Sequence, residues 1–128
     1  TTLVPNIAIT NQTAPTVNQT TSLKETIMVV TEKKLGLTIV LNKKKIVGVF
    51  TDGDLRRCLN DEVDINNTPI KDVMTIKFKS IDSNALAIDA AEIMEKNKIF
   101  SLVVNSSTHK KDIIGIITMH QLLEAGII

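Results

Sequence analysis

A chain of 128 residues with 43% hydrophobic residues, 15 basic against 14 acidic side chains and a formal net charge of +1 suits one compact domain or a pair of packed repeats, with no need of a metal or disulfide staple. The charge balance, the absence of Trp and Tyr and the presence of only three Phe argue against nucleic acid as a partner, which calls for a basic face and aromatic stacking platforms. Cys58 is the single cysteine, which excludes an internal disulfide framework and a Cys-based zinc site and fits a reducing, cytoplasmic setting.

Taken from the start, Thr1-Thr2-Leu3-Val4-Pro5 has neither the basic head nor the apolar stretch of a signal peptide. Residues 1–12 are expected to form a lead-in segment, and residues 13–59 a first repeat. Within it, Leu23 to Val30 is rich in β-branched residues and passes for a strand on propensity alone. Its counterpart 64 positions on, where Thr21-Ser22-Leu23-Lys24-Glu25-Thr26 is answered by Ala85-Leu86-Ala87-Ile88-Asp89-Ala90, assigns it to a helix. Leu37 to Leu41 and Ile46 to Thr51, separated by Asn42-Lys43-Lys44-Lys45, read as a hairpin of nearly continuous apolar strands, as in a sheet covered on both faces. A second helix follows Thr51.

Residues 60–76 are polar and acidic up to Asn67, then reach Thr68-Pro69, where Thr68 is expected to cap a short helix with Pro69 in its first turn. Ile7-Ala8-Ile9-Thr10 is a weak echo of this element. Residues 77–128 form the second repeat. Ala87, Ala90, Ala91, Ile93 and Met94 recur at helical spacing, so Ala85 to Asn97 is predicted helical. Ser101-Leu102-Val103-Val104 answers Leu37-Thr38-Ile39-Val40 at 64 positions. Ile113-Ile114-Gly115-Ile116-Ile117-Thr118 answers Ile46-Val47-Gly48-Val49-Phe50-Thr51 at 67, so the second hairpin carries three extra residues in its turn. Apolar runs such as Val47 to Phe50 and Ile113 to Ile117 fall far short of the ~20 residues of a membrane span.

Chemistry is concentrated where each repeat leaves a strand and enters its last helix, at Gly48-Val49-Phe50-Thr51-Asp52-Gly53-Asp54-Leu55 and Gly115-Ile116-Ile117-Thr118-Met119-His120-Gln121-Leu122. Thr followed three positions later by Asp or Gln is a capping box, which closes a helix whether or not anything binds. The same geometry also offers unpaired N–H groups and a partial positive charge to a phosphate, with Thr51 adding a hydroxyl and Asp54 accepting from the hydroxyls of a ribose. Arg56 and Arg57 lie one turn on, within reach of a phosphate or carboxylate if not simply solvated. Gln121 keeps the cap without the charge, so the two sites are expected to be unequal, and His120 is the one residue able to restore anion affinity near Thr118. The lysine clusters Lys33-Lys34, Lys43 to Lys45 and Lys110-Lys111 read as solvated faces. Neither a phosphate-loop motif nor His at metal-ligand spacing is present.

Two copies of strand, helix, strand, strand, helix, each ending in Gly-apolar-apolar-Thr, resemble a tandem pair of cystathionine-β-synthase (CBS) repeats. That resemblance implies an α/β (α+β) fold of two β-α-β-β-α units packed as a pseudo-twofold pair. More narrowly, Leu35-Gly36-Leu37-Thr38, the Gly48 to Arg57 segment and Met119 to Ile128 resemble the C-terminal part of bacterial D-arabinose 5-phosphate isomerases. Such relatives carry their active site in an N-terminal sugar-isomerase domain that has no counterpart here. The resemblance therefore implies a regulatory module, without cofactor, that senses an adenine nucleotide (AMP or ATP) or a nucleotide sugar such as CMP-Kdo and forms a homodimer. Carried over residue by residue, Thr51 and Asp54 hold phosphate and ribose, Thr38 with Thr13 to Val17, including Pro15 and Val17, lines a base pocket, and Thr118 marks the second site. A purely structural dimerisation module is the alternative.

Overall fold

The computed structural model describes residues 2–6, 9–10, 14–33, 35–110 and 112–128. Ile7, Ala8, Thr13, Lys34 and Lys111, for which roles are expected above, lie outside them. In chain order the elements are β1 (Ile9–Thr10), β2 (Thr16–Asn18), α1 (Leu23–Lys33), β3 (Leu37–Asn42), β4 (Lys45–Thr51), α2 (Asp52–Asn60), β5 (Ser80–Asp82), α3 (Ala87–Asn97), β6 (Ser101–Asn105), β7 (Ile113–Thr118) and α4 (Met119–Glu124), with 3-10 turns at Val4–Asn6 and Ile70–Asp72. Two β-α-β-β-α series are therefore present, as the repeat requires.

The chain divides into two compact units that are not its sequential halves: Pro15–Phe78 forms one, and the described residues up to Ala14 join Lys79–Ile128 in the other. In the first unit β2 runs parallel to β3, and β3 antiparallel to β4. The sheet of the second unit has the order β1-β7-β6-β5, with the same parallel and antiparallel pairing of β5, β6 and β7. Both hairpins slip register at equivalent places, between Val40 and Leu41 and between Val104 and Asn105.

Helix α1 forms despite its Val and Thr because its ends and one face are specified. Ser22 Oγ accepts from Glu25 N at 3.1 Å, supplying a cap. The hydroxyl of Thr26, fully enclosed, returns to Ser22 O at 3.0 Å. Leu23 packs with Val17, Val40, Phe50, Cys58 and Ile70, and Val30 is buried on the same helix.

The connecting segment closes as a 3-10 turn rather than as the capped helix expected at Thr68. Pro69 keeps extended backbone (φ −73°, ψ 148°) and no side chain caps the turn. Thr68 instead gives its carbonyl to Leu23 N at 2.8 Å, and Ile70 N donates to Thr21 O at 2.7 Å. Upstream, Asp64 accepts from Asn67 Nδ2, Asn66 N and Asn67 N, and these bonds, that of the Asn67 side chain first, hold its carboxyl below the usual range. The lead-in repeats this pattern on the second unit: Ala87 N donates to Thr2 O at 2.8 Å and Val4 N to Ala85 O at 3.0 Å. Val4 and Ile70, both fully buried, each enter the hydrophobic cluster of their own unit.

Past these turns each segment reaches the last strand of its unit. Ile9 pairs with Ile116, and Thr75 pairs with Val49 through reciprocal backbone bonds of 2.9 and 2.8 Å. Gly48 permits the second approach: a Cβ there would lie 2.6 Å from Met74 Sδ and 2.9 Å from Thr75 O, inside van der Waals contact. No helix among the described residues is long and apolar enough to cross a membrane.

Candidate functional site

Thr51 ends β4 in extended backbone (φ −113°, ψ 169°) and caps α2. Its Oγ1 accepts from Asp54 N at 3.2 Å, and Asp54 Oδ2 accepts from Thr51 N at 3.0 Å and Thr51 Oγ1 at 3.1 Å, completing the capping box. Asp54 is 2% exposed. Its carboxylate also takes the Thr75 hydroxyl, 2.8 Å from Oδ1 and 3.0 Å from Oδ2, and the guanidinium of Arg57. Burying a carboxylate is tolerated when its lone pairs are filled, and here both oxygens are occupied. The ribose role expected of Asp54 thus falls on acceptors that Thr75 and Arg57 already use.

Arg57 is 63% exposed, so one partner of the buried carboxylate stands in solvent. Arg56 on the same helix is exposed and has no partner among the described residues. Cys58, buried one turn further on, has its thiol pushed up by burial and by the Asp54 charge, against the opposing pull of Arg57.

The residues expected to line a base pocket are built into the fold of the first unit. Pro15 is buried and its carbonyl accepts from Ile39 N at 2.9 Å. Val17, 9% exposed, packs in the cluster with Leu23, Val40 and Phe50. Thr38 lies opposite Phe50 and shares a strand face with Val40. It is fully enclosed and its Oγ1 finds no hydrogen-bond partner, so in this structure its hydroxyl is an orphan inside a hydrophobic layer rather than the wall of an accessible pocket. Leu102 holds the matching place in the other unit.

In that other unit Thr118 caps α4 with nearly the same backbone (φ −119°, ψ 162°). Gln121 Oε1 accepts from Thr118 N at 2.8 Å and from the Thr118 hydroxyl, and Gln121 N donates to Thr118 Oγ1 at 3.4 Å. His120, expected to lend anion affinity, pairs instead with Glu124 at 2.5 Å one turn along the exposed helix face. Thr75 is the residue that sequence reasoning left without a role. It stands 21 positions from Asp54, and no local pattern announces the contact. No cluster of metal-ligating side chains occurs among the described residues.

Two matched units, each closing a Gly-apolar-apolar-Thr strand onto a capped helix, define a tandem repeat module, and the CBS domain model matches residues 7–61 and 70–127. The chain belongs to the CBS-domain family. Arabinose 5-phosphate isomerase KdsD of Yersinia pestis is 37% identical over 126 residues, a match covering 98% of this chain and 38% of that protein. The chain thus spans well under half the length of such relatives and corresponds to their C-terminal region. Among solved structures, CBSX2 in complex with AMP superposes with a TM-score of 0.85 at 22% identity, covering 99% of this chain and 97% of that one. The CBS pair of MJ0100, in complex with 5′-methylthioadenosine and S-adenosyl-L-methionine, gives 0.81 at 20%, covering 98% and 99%. At these identities the two structures establish the fold.

Proposed function

We propose that this chain is the ligand-sensing regulatory part of an arabinose 5-phosphate isomerase, attached in the cytoplasm to a sugar-isomerase domain that performs the chemistry. Its ligand is an adenine nucleotide such as AMP or ATP, or a nucleotide sugar of the Kdo branch of lipopolysaccharide synthesis such as CMP-Kdo. The match to isomerases of more than twice its length supports the first part. The adenosine-containing ligands of the neighbouring CBS structures support the second.

The observation that carries the sensing role is the Asp54 carboxylate, buried yet held by two replaceable donors, the exposed Arg57 and the Thr75 hydroxyl. A ribose diol supplies the same kind of O–H donors as Thr75, and a phosphate competes for the Arg57 guanidinium. Ligand and Thr75 therefore compete for one carboxylate, and the outcome is felt by the segment that Thr75 ties to β4 through Val49. Arg56 and the first turn of α2 supply the positive charge for the phosphate.

Calorimetric titration with AMP, ATP and CMP-Kdo tests this. At least one should bind, and Thr75→Val, which removes the competing hydroxyl but keeps the backbone pairing, should tighten binding several-fold, the worth of one hydrogen bond. If none of the three binds, the sensing role fails and a purely structural module remains. Self-association belongs to the same proposal: Met28 on α1 and Leu59 on α2 are each 61% exposed, and light scattering should give twice the chain mass.

A further inference from the structure

The two units also differ at the far ends of β5 and β6, away from the capped helix. A hollow of about 410 Å³ opens there, lined by Ser80, Ile81, Asp82, Ala85, Asp89, Ile93, Asn105 and Lys110. All lie within one compact unit, and none belongs to either Thr cap. Its volume is in the range of small-molecule sites, ~300–1,000 Å³.

Its chemistry comes from two departures from the repeat. Asn105 occupies the place of Leu41: each follows the register slip of its hairpin and pairs with the last residue of the preceding parallel strand, Asp82 or Asn18. Asn105 is 6% exposed, and a buried amide where the sister repeat keeps an apolar side chain is a cost unless its polar atoms are used. Its Nδ2 donates to Asp82 Oδ1 at 3.1 Å and to Ser106 O at 3.3 Å. Both partners are acceptors, which fixes the amide orientation and leaves Oδ1 with no donor from the described residues. The second departure is the longer turn of this hairpin. Ser106 organises it, its Oγ accepting from Thr108 N at 3.3 Å and His109 N at 3.2 Å, and it brings Lys110 to the hollow. Lys110 is exposed and makes no ion pair among the described residues.

The remaining walls are Asp82 on the sheet edge and Asp89 on α3. Asp82 spends one oxygen on Asn105 and Asp89 one on Leu86 N at 3.2 Å, so each keeps an oxygen free. Ile81, Ala85 and Ile93 add a small apolar floor. The set is thus acceptor-rich with two negative charges, plus a single cation. We propose that this hollow binds a small zwitterion, its ammonium group received by Asp82, Asp89 and Asn105 Oδ1, its carboxylate or phosphate by Lys110, and its short alkyl link by the floor.

Backbone and side-chain amide NMR of the 15N-labelled 128-residue chain, titrated with β-alanine and with phosphoethanolamine, tests the proposal and separates the two kinds of anionic end. Propylamine and propionate serve as one-ended controls. Saturable shifts centred on Ser80 to Asp82, Asp89, Asn105 and Lys110 are expected with at least one zwitterion, and affinities about tenfold weaker or worse for the controls, as loss of one charge-assisted contact requires. Lys110→Gln and Asp89→Asn, both at exposed positions, should each weaken binding by about tenfold or more. Asn105→Leu, which restores the residue of the sister repeat, should do the same, and if it fails to fold the two surface variants decide alone. Absence of shifts at these residues with both zwitterions, equal binding by a control, or indifference to both surface variants overturns the proposal. The Thr51 cap shares no residue with this site, so failure here leaves the nucleotide proposal standing.

Discussion

Thr51 and Thr118 cap their helices in almost the same backbone conformation, each donating through its N–H to the side chain three residues on. What differs is everything beyond the box. Asp54 gathers Thr75 and Arg57 as well, while Gln121 serves Thr118 alone. A carboxylate buried to this depth needs all its donors. An amide is content with the cap. One repeat has therefore turned a helix cap into a junction joining α2, β4 and the connecting segment, and the other has kept the cap.

The exchange of connecting segments is what the two repeats share most closely, and breaking it should give the largest effect. Ile70→Ala empties a fully buried position in the core of the first unit and should cost about 2–5 kcal/mol. Val4→Ala is the matched change in the second unit and should cost less, since fewer methyl groups leave the core. Chemical denaturation of both variants measures this. Equal wild-type stability for Ile70→Ala would mean that the turn at Ile70–Asp72 does not staple its unit.

Next in size is the contrast between the boxes. Asp54→Ala strips a cap and leaves the Thr75 hydroxyl and Thr51 N–H without their acceptor, for a loss of about 2–4 kcal/mol. Gln121→Ala removes only the cap partner and should cost about 1 kcal/mol. Arg57→Ala, which deletes an ion pair whose cation is mostly in water, should change stability by less than about 1 kcal/mol. Comparable losses for Asp54→Ala and Gln121→Ala in urea titrations would erase the distinction between junction and cap.

Much of this was legible in the sequence, and the parts that were not share a cause. The repeat read at 64 and 67 positions gave the element order and overruled the strand propensity of Leu23 to Val30, because two copies of one fold must agree where either alone is ambiguous. Local patterns also found both capping boxes. Contacts between distant positions left no such trace: Thr75 reaches Asp54 across 21 residues, and the staples at Thr2 and Thr68 act through backbone carbonyls, for which side-chain identity is nearly free. Thr38 shows the limit within a strand. A run of apolar residues does not say which face is open, and the Thr38 hydroxyl, for which the family resemblance implies a base pocket, faces the layer of Val40 and Phe50.

Cys58 sharpens the comparison through pH, since the second repeat has no thiol. Its folded pKa lies above the ordinary value, chiefly from burial and from Asp54. A raised pKa means that its contribution to stability is complete below the thiol's unfolded pKa and is lost as pH climbs through the folded one. As pH rises above the thiol's ordinary titration point, about 8.5, the wild type should therefore lose stability more steeply than Cys58→Ala, whose own deficit at neutral pH comes from packing. Parallel pH profiles for the two proteins would show the thiol to be uninvolved.

The smallest effect concerns the hairpin turns, where the repeats also part. The first closes in two residues, and Lys43 and Lys44 both hold positive φ, 51° and 68°. This is the mirror-image turn that suits the strand twist and that Asn and Gly fill with least strain. The second hairpin escapes the constraint with a longer turn. Lys44→Gly removes a Cβ from left-handed backbone, worth roughly 1 kcal/mol of strain, while the freer unfolded chain takes part of that back. The net gain should be a few tenths of a kcal/mol. Asn105 and Lys110, at the other turn, should show unchanged amide shifts in this variant, and a stability loss would mean that the lysine side chains hold the first turn by contacts stronger than the strain they bear.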